Sequence, residues 1–172
     1  MSETLIRQET PQDIDAVRAI NIAAFADHPV SQQTEHLIVD ALRDERALSV
    51  SLVAVRDGQP VGHIAFSEAV VGEMTEGWYL VGPVAVFPEF QHQGMGSMLV
   101  VAGLAELRAR QAKGCVLVGD PGFYQRFGFG VHPGLVYRGV PDEFVLGLPF
   151  GDEAPAGGIA AHSAFEVQPQ KE

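Results

Sequence analysis

The chain holds one cysteine, Cys115, so no disulfide can form within it and a reducing compartment is expected. Cys115 lies in the apolar run GCVLVGD and reads as a core residue, not a reactive thiol. Basic residues are scarce: 11 Lys and Arg stand against 22 Asp and Glu, a formal net charge of -11. Duplex nucleic acid is therefore excluded as a default partner, because phosphate binding needs clustered Lys and Arg. No apolar run approaches the roughly 20 residues that cross a bilayer, so no membrane partner is expected. The opening MSETLIRQE is polar and acidic, unlike a secretion signal, and a cytoplasmic location follows as an expectation. The six histidines are scattered without metal-ligand spacing, so no metal is expected.

What is present is enough for one folded domain. The 172 residues are 47% hydrophobic, and only the end looks frayed, giving a single domain over 1–172 with its core at 4–167 and a tail at 168–172. A short strand precedes a helix, with Thr10 as its N-cap, Pro11 in its first turn and Asp13 and Asp15 at the positive end of its dipole. Ile14, Val17, Ala19, Ile20 and Ala24 form its apolar stripe. A second helix covers QQTEHLIVDALRDE, with Leu37, Ile38, Ala41 and Leu42 inward. Alternating apolar residues on both sides of Asp57-Gly58 predict a hairpin. GWYLVGPVAVFP is a further strand, and a helix runs from about Ser97 to Gln111. That helix is apolar nearly all round in its first half, through Met98, Leu99, Val100, Val101 and Leu104, as a helix buried on a sheet would be. CVLVGD is a buried strand, PGFYQRFGFG a short helix, and strand-like pieces follow around VYRG, EFVLGLPF and GIAAHSAFEV. The order of elements points to an α/β (α+β) fold, a mixed sheet with helices on its faces.

Between the further strand and its helix lies QHQGMGS, residues 91 to 97. The first N–H groups of a helix have no internal partners, and glycine lets an anion approach them. The loop carries no lysine, which argues against a P-loop; Leu99 stands where a dinucleotide motif needs its third glycine. On its own the pattern leaves anion binding and a tight packing turn both open.

The wider stretch VAVFPEFQHQGMGSML, with FYQRFGF downstream, resembles the GNAT superfamily of acyl-CoA-dependent N-acetyltransferases. Gln91-x-x-Gly94-x-Gly96 matches its Q/R-x-x-G-x-G/A signature, and Tyr124 with Gly128-Phe129 matches its Y-x-x-x-G-F segment. The run from GPVAVFPEF to FYQRFGF is similar to the branch around the bacterial YhbS proteins, although Ser163 departs from that branch's H-P-A-F ending. The resemblance implies the GNAT fold, with a mixed, mostly antiparallel sheet and helices on both faces. It implies acetyl-CoA as cosubstrate and transfer of its acetyl group to a primary amine by direct attack in a ternary complex. The alternative is a non-catalytic acyl-CoA-binding or sensor module. Similar proteins commonly dimerise, so a homodimer is a further expectation.

Residue by residue, the resemblance implies that the main chain of Val84 and Val86 runs beside the pantetheine arm. The N–H groups of His92, Gln93, Gly94, Met95, Gly96 and Ser97 would hold the pyrophosphate, with Gln91 of the same signature also among the coenzyme-binding residues. The N–H near Val86 would polarise the thioester carbonyl. Gly82-Pro83 is a candidate disturbance of the strand. Tyr124 would be the general acid toward the leaving thiolate. Glu68 is the candidate base, with Glu73 and His63 beside it, and Arg126 a candidate for a coenzyme phosphate. The acceptor amine stays open, tilted toward cations by the acidic balance.

Overall fold

The computed structural model describes residues 3–29 and 31–168. Of the expected frayed tail, residues 169–172 lie outside the described residues. The elements are β1 (Thr4–Gln8), α1 (Ile14–Phe25), α2 (Glu35–Asp44), β2 (Val50–Arg56), β3 (Gln59–Glu68), β4 (Val70–Val71), β5 (Trp78–Val86), α3 (Met95–Ala109), β6 (Gly114–Val118), α4 (Pro121–Tyr124), β7 (Leu135–Val136), β8 (Val145–Pro149) and β9 (Gly157–Ala160). Six strands form one sheet in the order β1-β2-β3-β5-β6-β8. Every neighbouring pair in it is antiparallel except β5 and β6. A small second sheet, β4-β9-β7, takes in the expected pieces around VYRG and GIAA, whereas EFVLGLPF gives β8 of the main sheet and SAFE is a turn of 3-10 helix. Two of its strands are only two residues long, below what period-two alternation can reveal.

The β2–β3 hairpin turns at Asp57 and Gly58, with φ of 52° and 76°. Two successive positive φ angles suit the right-handed twist of the flanking strands, and Asp-Gly adopts them at low cost. Helices cover both faces of the main sheet. Leu52, Ala54, Ile64 and Phe66 meet Leu99, Val100 and Leu104 of α3. The alternate residues Val53 and Val55 meet Val17 of α1 and Val39 of α2.

The helix faces differ in detail from their periodicity. Ala19 is exposed and Asn21 buried in α1; Leu37 is half-buried in α2, where Val39 is buried instead. α3 starts at Met95, two residues before its expected start, and Met98 and Val101 are exposed. Only one side of α3 faces the sheet, so its apolar composition overstates its burial.

Two contacts fix the helices that frame the site. Arg7 of β1 donates to Asp13 at 2.7 Å, and the Thr10 N–H donates to the same carboxylate at 2.7 Å. Asp13, expected as a dipole residue, is thus a buried anchor between β1 and α1. The Arg7 hydrogen bond, opposed by burial, holds its carboxyl down at about 2. On the other face, a Cβ on Gly103 of α3 would overlap the ring of Phe66, which is fully buried and has nowhere to go.

Gly103→Ala is therefore expected to destabilise. Overpacking costs about 1–3 kcal/mol, while the better helix propensity of alanine returns at most about 1 kcal/mol. A thermal melt at or above wild type would contradict this packing. For Asp13 the folded pKa is depressed, so its contribution is present above about pH 4 and is lost as pH falls toward 2. Urea unfolding of wild type and Asp13→Asn should show a stability gap at pH 7 that closes by about pH 2. A gap that stays constant across that range would refute the ion pair as its cause.

Candidate active site

β5 pairs with β3 along its whole length but with β6 only through Trp78, Tyr79 and Leu80. Beyond Leu80 the two central strands part. The cause lies in the β3–β5 register, where Ile64 faces Val84 but Phe66 faces Val81. β5 thus spends one more residue than β3 over this interval, a bulge that contains Gly82 at φ 141° and the cis Gly82–Pro83 bond. The expected disturbance at Gly82-Pro83 is therefore located.

The bulge also changes which peptide groups face the gap. Before it, the Ala69 N–H donates to the Trp78 carbonyl, so even-numbered residues of β5 bond to β3. After it, the Phe87 N–H donates to the Val61 carbonyl, so odd-numbered residues do. Val84 and Val86 consequently turn their N–H and C=O groups away from β3, toward the space left by β6. The Val86 carbonyl accepts from Gln91 Nε2 at 3.0 Å, which ties the next loop to the end of this strand.

That loop runs directly into α3. Gly94 is the N-cap at φ 85°, a conformation that favours glycine, and His92 also has a positive φ of 64°. The first bond of α3 is from the Met98 N–H to the Gly94 carbonyl, 3.0 Å. Among the described residues, the N–H groups of residues 92 to 97 meet no acceptor. Gly96 is helical, and a Cβ there would stand 3.7 Å from Phe123, ordinary contact within the chain. Its bareness matters only for a ligand laid on the helix end. Arg56 was not singled out in the sequence. It donates to Gln93 Oε1 at 2.6 Å and lies over the Phe90 ring. Arg126 stacks 4.9 Å over Phe123, one ring away from Gly96.

A cleft of about 560 Å³ opens where β5 and β6 part. Its floor is β5 from Leu80 to Val86 with Val118 and Gly119, and Gln91 and Tyr124 line it together with Val84 and Val86. Tyr124 stands in an edge-to-face aromatic group, 4.9 Å from Phe123 and 5.8 Å from Phe129 between ring centres. Its ring edge would lie 2.6 Å from a Cβ on Gly119, so glycine there makes room for it. Burial, with the Asp120 charge second, pushes the phenol up to about 12. The phenol is therefore fully protonated at neutral pH.

The candidate bases fare differently. Glu68 is exposed, pairs with Tyr79 at the closed end of the strands, and is not among the cleft's lining residues. Glu73 is exposed after β4 and is likewise outside it. His63 is fully buried beneath α1, contacting Ser51 Oγ at 2.8 Å and Asn21 Nδ2 at 3.2 Å. Burial above all, then the charge of Arg43, lowers it to about 3. It is a neutral core residue, and the expectation of His63 near the cleft is corrected. Cys115 is fully buried with its thiol pushed up by burial, as a core residue would be. The cleft's remaining wall comes from Phe25, His28, Glu35 and Ile38 of the α1–α2 region, with Tyr137, Val140 and Phe165. Nothing in the sequence points to this wall beyond Glu35 and Ile38 sharing a helix face, three residues apart.

A second cavity, of about 380 Å³ and lined by Arg43, Arg46 and Arg110, shares none of the residues that the motifs pick out. The motif residues gather instead at the splayed strands. Among the described residues, no group of three or more His, Cys, Asp or Glu is placed to hold a metal, and no helix is long and apolar enough to cross a membrane.

Comparison with known proteins agrees with this geometry. The family description "Acetyltransferase (GNAT) family" matches residues 14–129. The uncharacterized N-acetyltransferase YhbS of Escherichia coli strain K12 is 35% identical over 126 residues, 73% of this chain and 72% of that protein. A GNAT family acetyltransferase from Brucella melitensis, solved in complex with acetyl-CoA, is 45% identical with a TM-score of 0.85, covering 95% of this chain and 98% of that one. The crystal structure of Escherichia coli YhbS in complex with CoA superposes with a TM-score of 0.88 at 28% identity, over 99% and 97% of the two chains. In sequence and in architecture alike, this chain belongs to the acetyltransferase (GNAT) family.

Proposed function

We propose that the chain is a single-domain N-acetyltransferase that moves an acetyl group from acetyl-CoA to a primary amine by direct attack in a ternary complex. The observation that carries this is the continuity of three features. These are the unpaired peptide edge of β5, the unbonded amides of residues 92 to 97, and Tyr124 across the same cleft. The bound coenzymes of the Brucella and Escherichia relatives support it.

In this reading the amides of His92 through Ser97 surround the pyrophosphate, with Gly94 shaping the turn and Gly96 keeping the helix end open, while the Gln91 N–H is held by the Pro88 carbonyl at 3.3 Å. The pantetheine amides pair with Val84 and Val86 as an added strand would. The Val86 N–H faces the thioester carbonyl and stabilises negative charge as it develops on that oxygen. The amine nitrogen attacks the carbonyl carbon, the C–S bond breaks, and the nitrogen's proton passes to water. Glu68, outside the cleft lining, is not assigned to that transfer.

Tyr124 faces the departing sulfur. Full proton transfer from a phenol at about 12 to a thiolate near about 8.5 is uphill by roughly 5 kcal/mol. The same burial that raises the phenol also disfavours a bare thiolate and narrows that gap. Tyr124 therefore acts first as a hydrogen-bond donor to charge appearing on sulfur, and delivers its proton only as the thiolate forms in the dry cleft.

Tyr124→Phe is expected to lower kcat by about 100-fold with the Kd for coenzyme A unchanged. In wild type, the rate should show no loss from Tyr124 ionisation below about pH 11. A substitution that leaves kcat intact would remove Tyr124 from the chemistry, and coenzyme A binding by wild type with no turnover of any amine would favour a non-catalytic acyl-CoA-binding module.

A further inference from the structure

With coenzyme A assigned to the β5 edge and the following loop, one wall of the cleft is left for the acceptor. It comprises Phe25, His28, Glu35 and Ile38 together with Tyr137 and Phe165, the last packed beside Ile38. This wall is aromatic and aliphatic apart from His28, the Tyr137 hydroxyl and one carboxylate, Glu35. Ser31 Oγ donates to that carboxylate, lying 2.8 and 2.7 Å from its two oxygens, and fixes its orientation at the start of α2. Among the described residues, no Lys or Arg pairs with Glu35 or with Asp120, the other carboxylate lining the cleft. Among the same residues, no Lys or Arg lines the cleft.

This arrangement selects by charge. An acceptor with a carboxylate would bring a third negative charge to a cleft with no Lys or Arg to receive it. An ammonium group would be attracted to both acids. The reacting nitrogen, however, must lose its charge to attack, and a carboxylate beside it favours the charged form. Glu35 is thus poorly suited to hold the reacting nitrogen and well suited to hold a second one.

We infer that the acceptor is of the diamine class: a primary amine joined by a methylene chain to a second cationic nitrogen that pairs with Glu35, the chain lying against Phe25 and Ile38. This rests on the acetyl-transfer reading of the same cleft.

The test is calorimetric titration of the protein–CoA complex with 1,4-diaminobutane, butylamine and 4-aminobutanoate, in wild type and Glu35→Gln. Coenzyme A itself should bind both proteins alike, which shows that the variant folds. The diamine should bind wild type about five- to tenfold more tightly than butylamine, 4-aminobutanoate should bind more weakly than either, and Glu35→Gln should erase the diamine's advantage. Equal binding of diamine and monoamine by wild type overturns the inference without any variant, as does a diamine advantage that survives Glu35→Gln. Binding of coenzyme A alongside such a result leaves acetyl transfer standing. Absence of coenzyme A binding removes both readings together.

Discussion

One extra residue in β5, set between the pairings Ile64–Val84 and Phe66–Val81, governs the rest of the site. A regular strand would continue to direct its even-numbered amides at β3 and would have no reason to leave β6 after three pairs. The insertion reverses that parity, so Val84 and Val86 turn their peptide groups away from β3, with only the Val86 carbonyl taken up, by Gln91, and it frees the strand edge there. Unpaired backbone groups are costly when buried, so an edge of this kind is kept only where something else satisfies it. An extended arm bearing two amides meets that requirement.

The electrostatics follow from the same economy of side chains. A chain with net charge -11 is proposed to bind a polyanionic coenzyme, and the loop that meets it contains no Lys or Arg. The positive end of α3 and the free amides before it would supply the attraction locally, where the general acidity of the surface is screened over about 10 Å. Arg56, bonded to Gln93, and Arg126, stacked on Phe123, add cationic charge at the margins of that loop. Among the described residues, Glu35 and Asp120 line the cleft beside His28 with no Lys or Arg, so coenzyme and acceptor would be drawn to opposite ends by opposite signs.

Much of this was legible from residues whose effect is local. Asp57-Gly58 determines its turn through its own φ angles, and the strand-loop-helix around Gly94 is recognisable because its chemistry lies within seven residues. Tyr124 was legible only through its motif; its periodicity is that of any packed aromatic. The rest depends on pairing. No alternation could reveal the parity of Val84 and Val86, because it depends on where β5 bulges against a strand about twenty residues earlier. His63 sits in the run GHIAF on a central strand covered on both faces, so it looks no different in sequence from a residue at the cleft. Glu35 reads as an ordinary first-turn acid of α2, and only the docking of α1 and α2 on the sheet brings it to the cleft.

The most direct measurement of the central claim is a titration of ¹⁵N-labelled protein with coenzyme A, followed amide by amide by NMR. The account predicts that the largest shifts fall on residues 92 to 97 and on Val84 and Val86, with little change at the distant Arg43–Arg110 cavity. Shifts confined to that cavity, or none at saturating coenzyme, would contradict it.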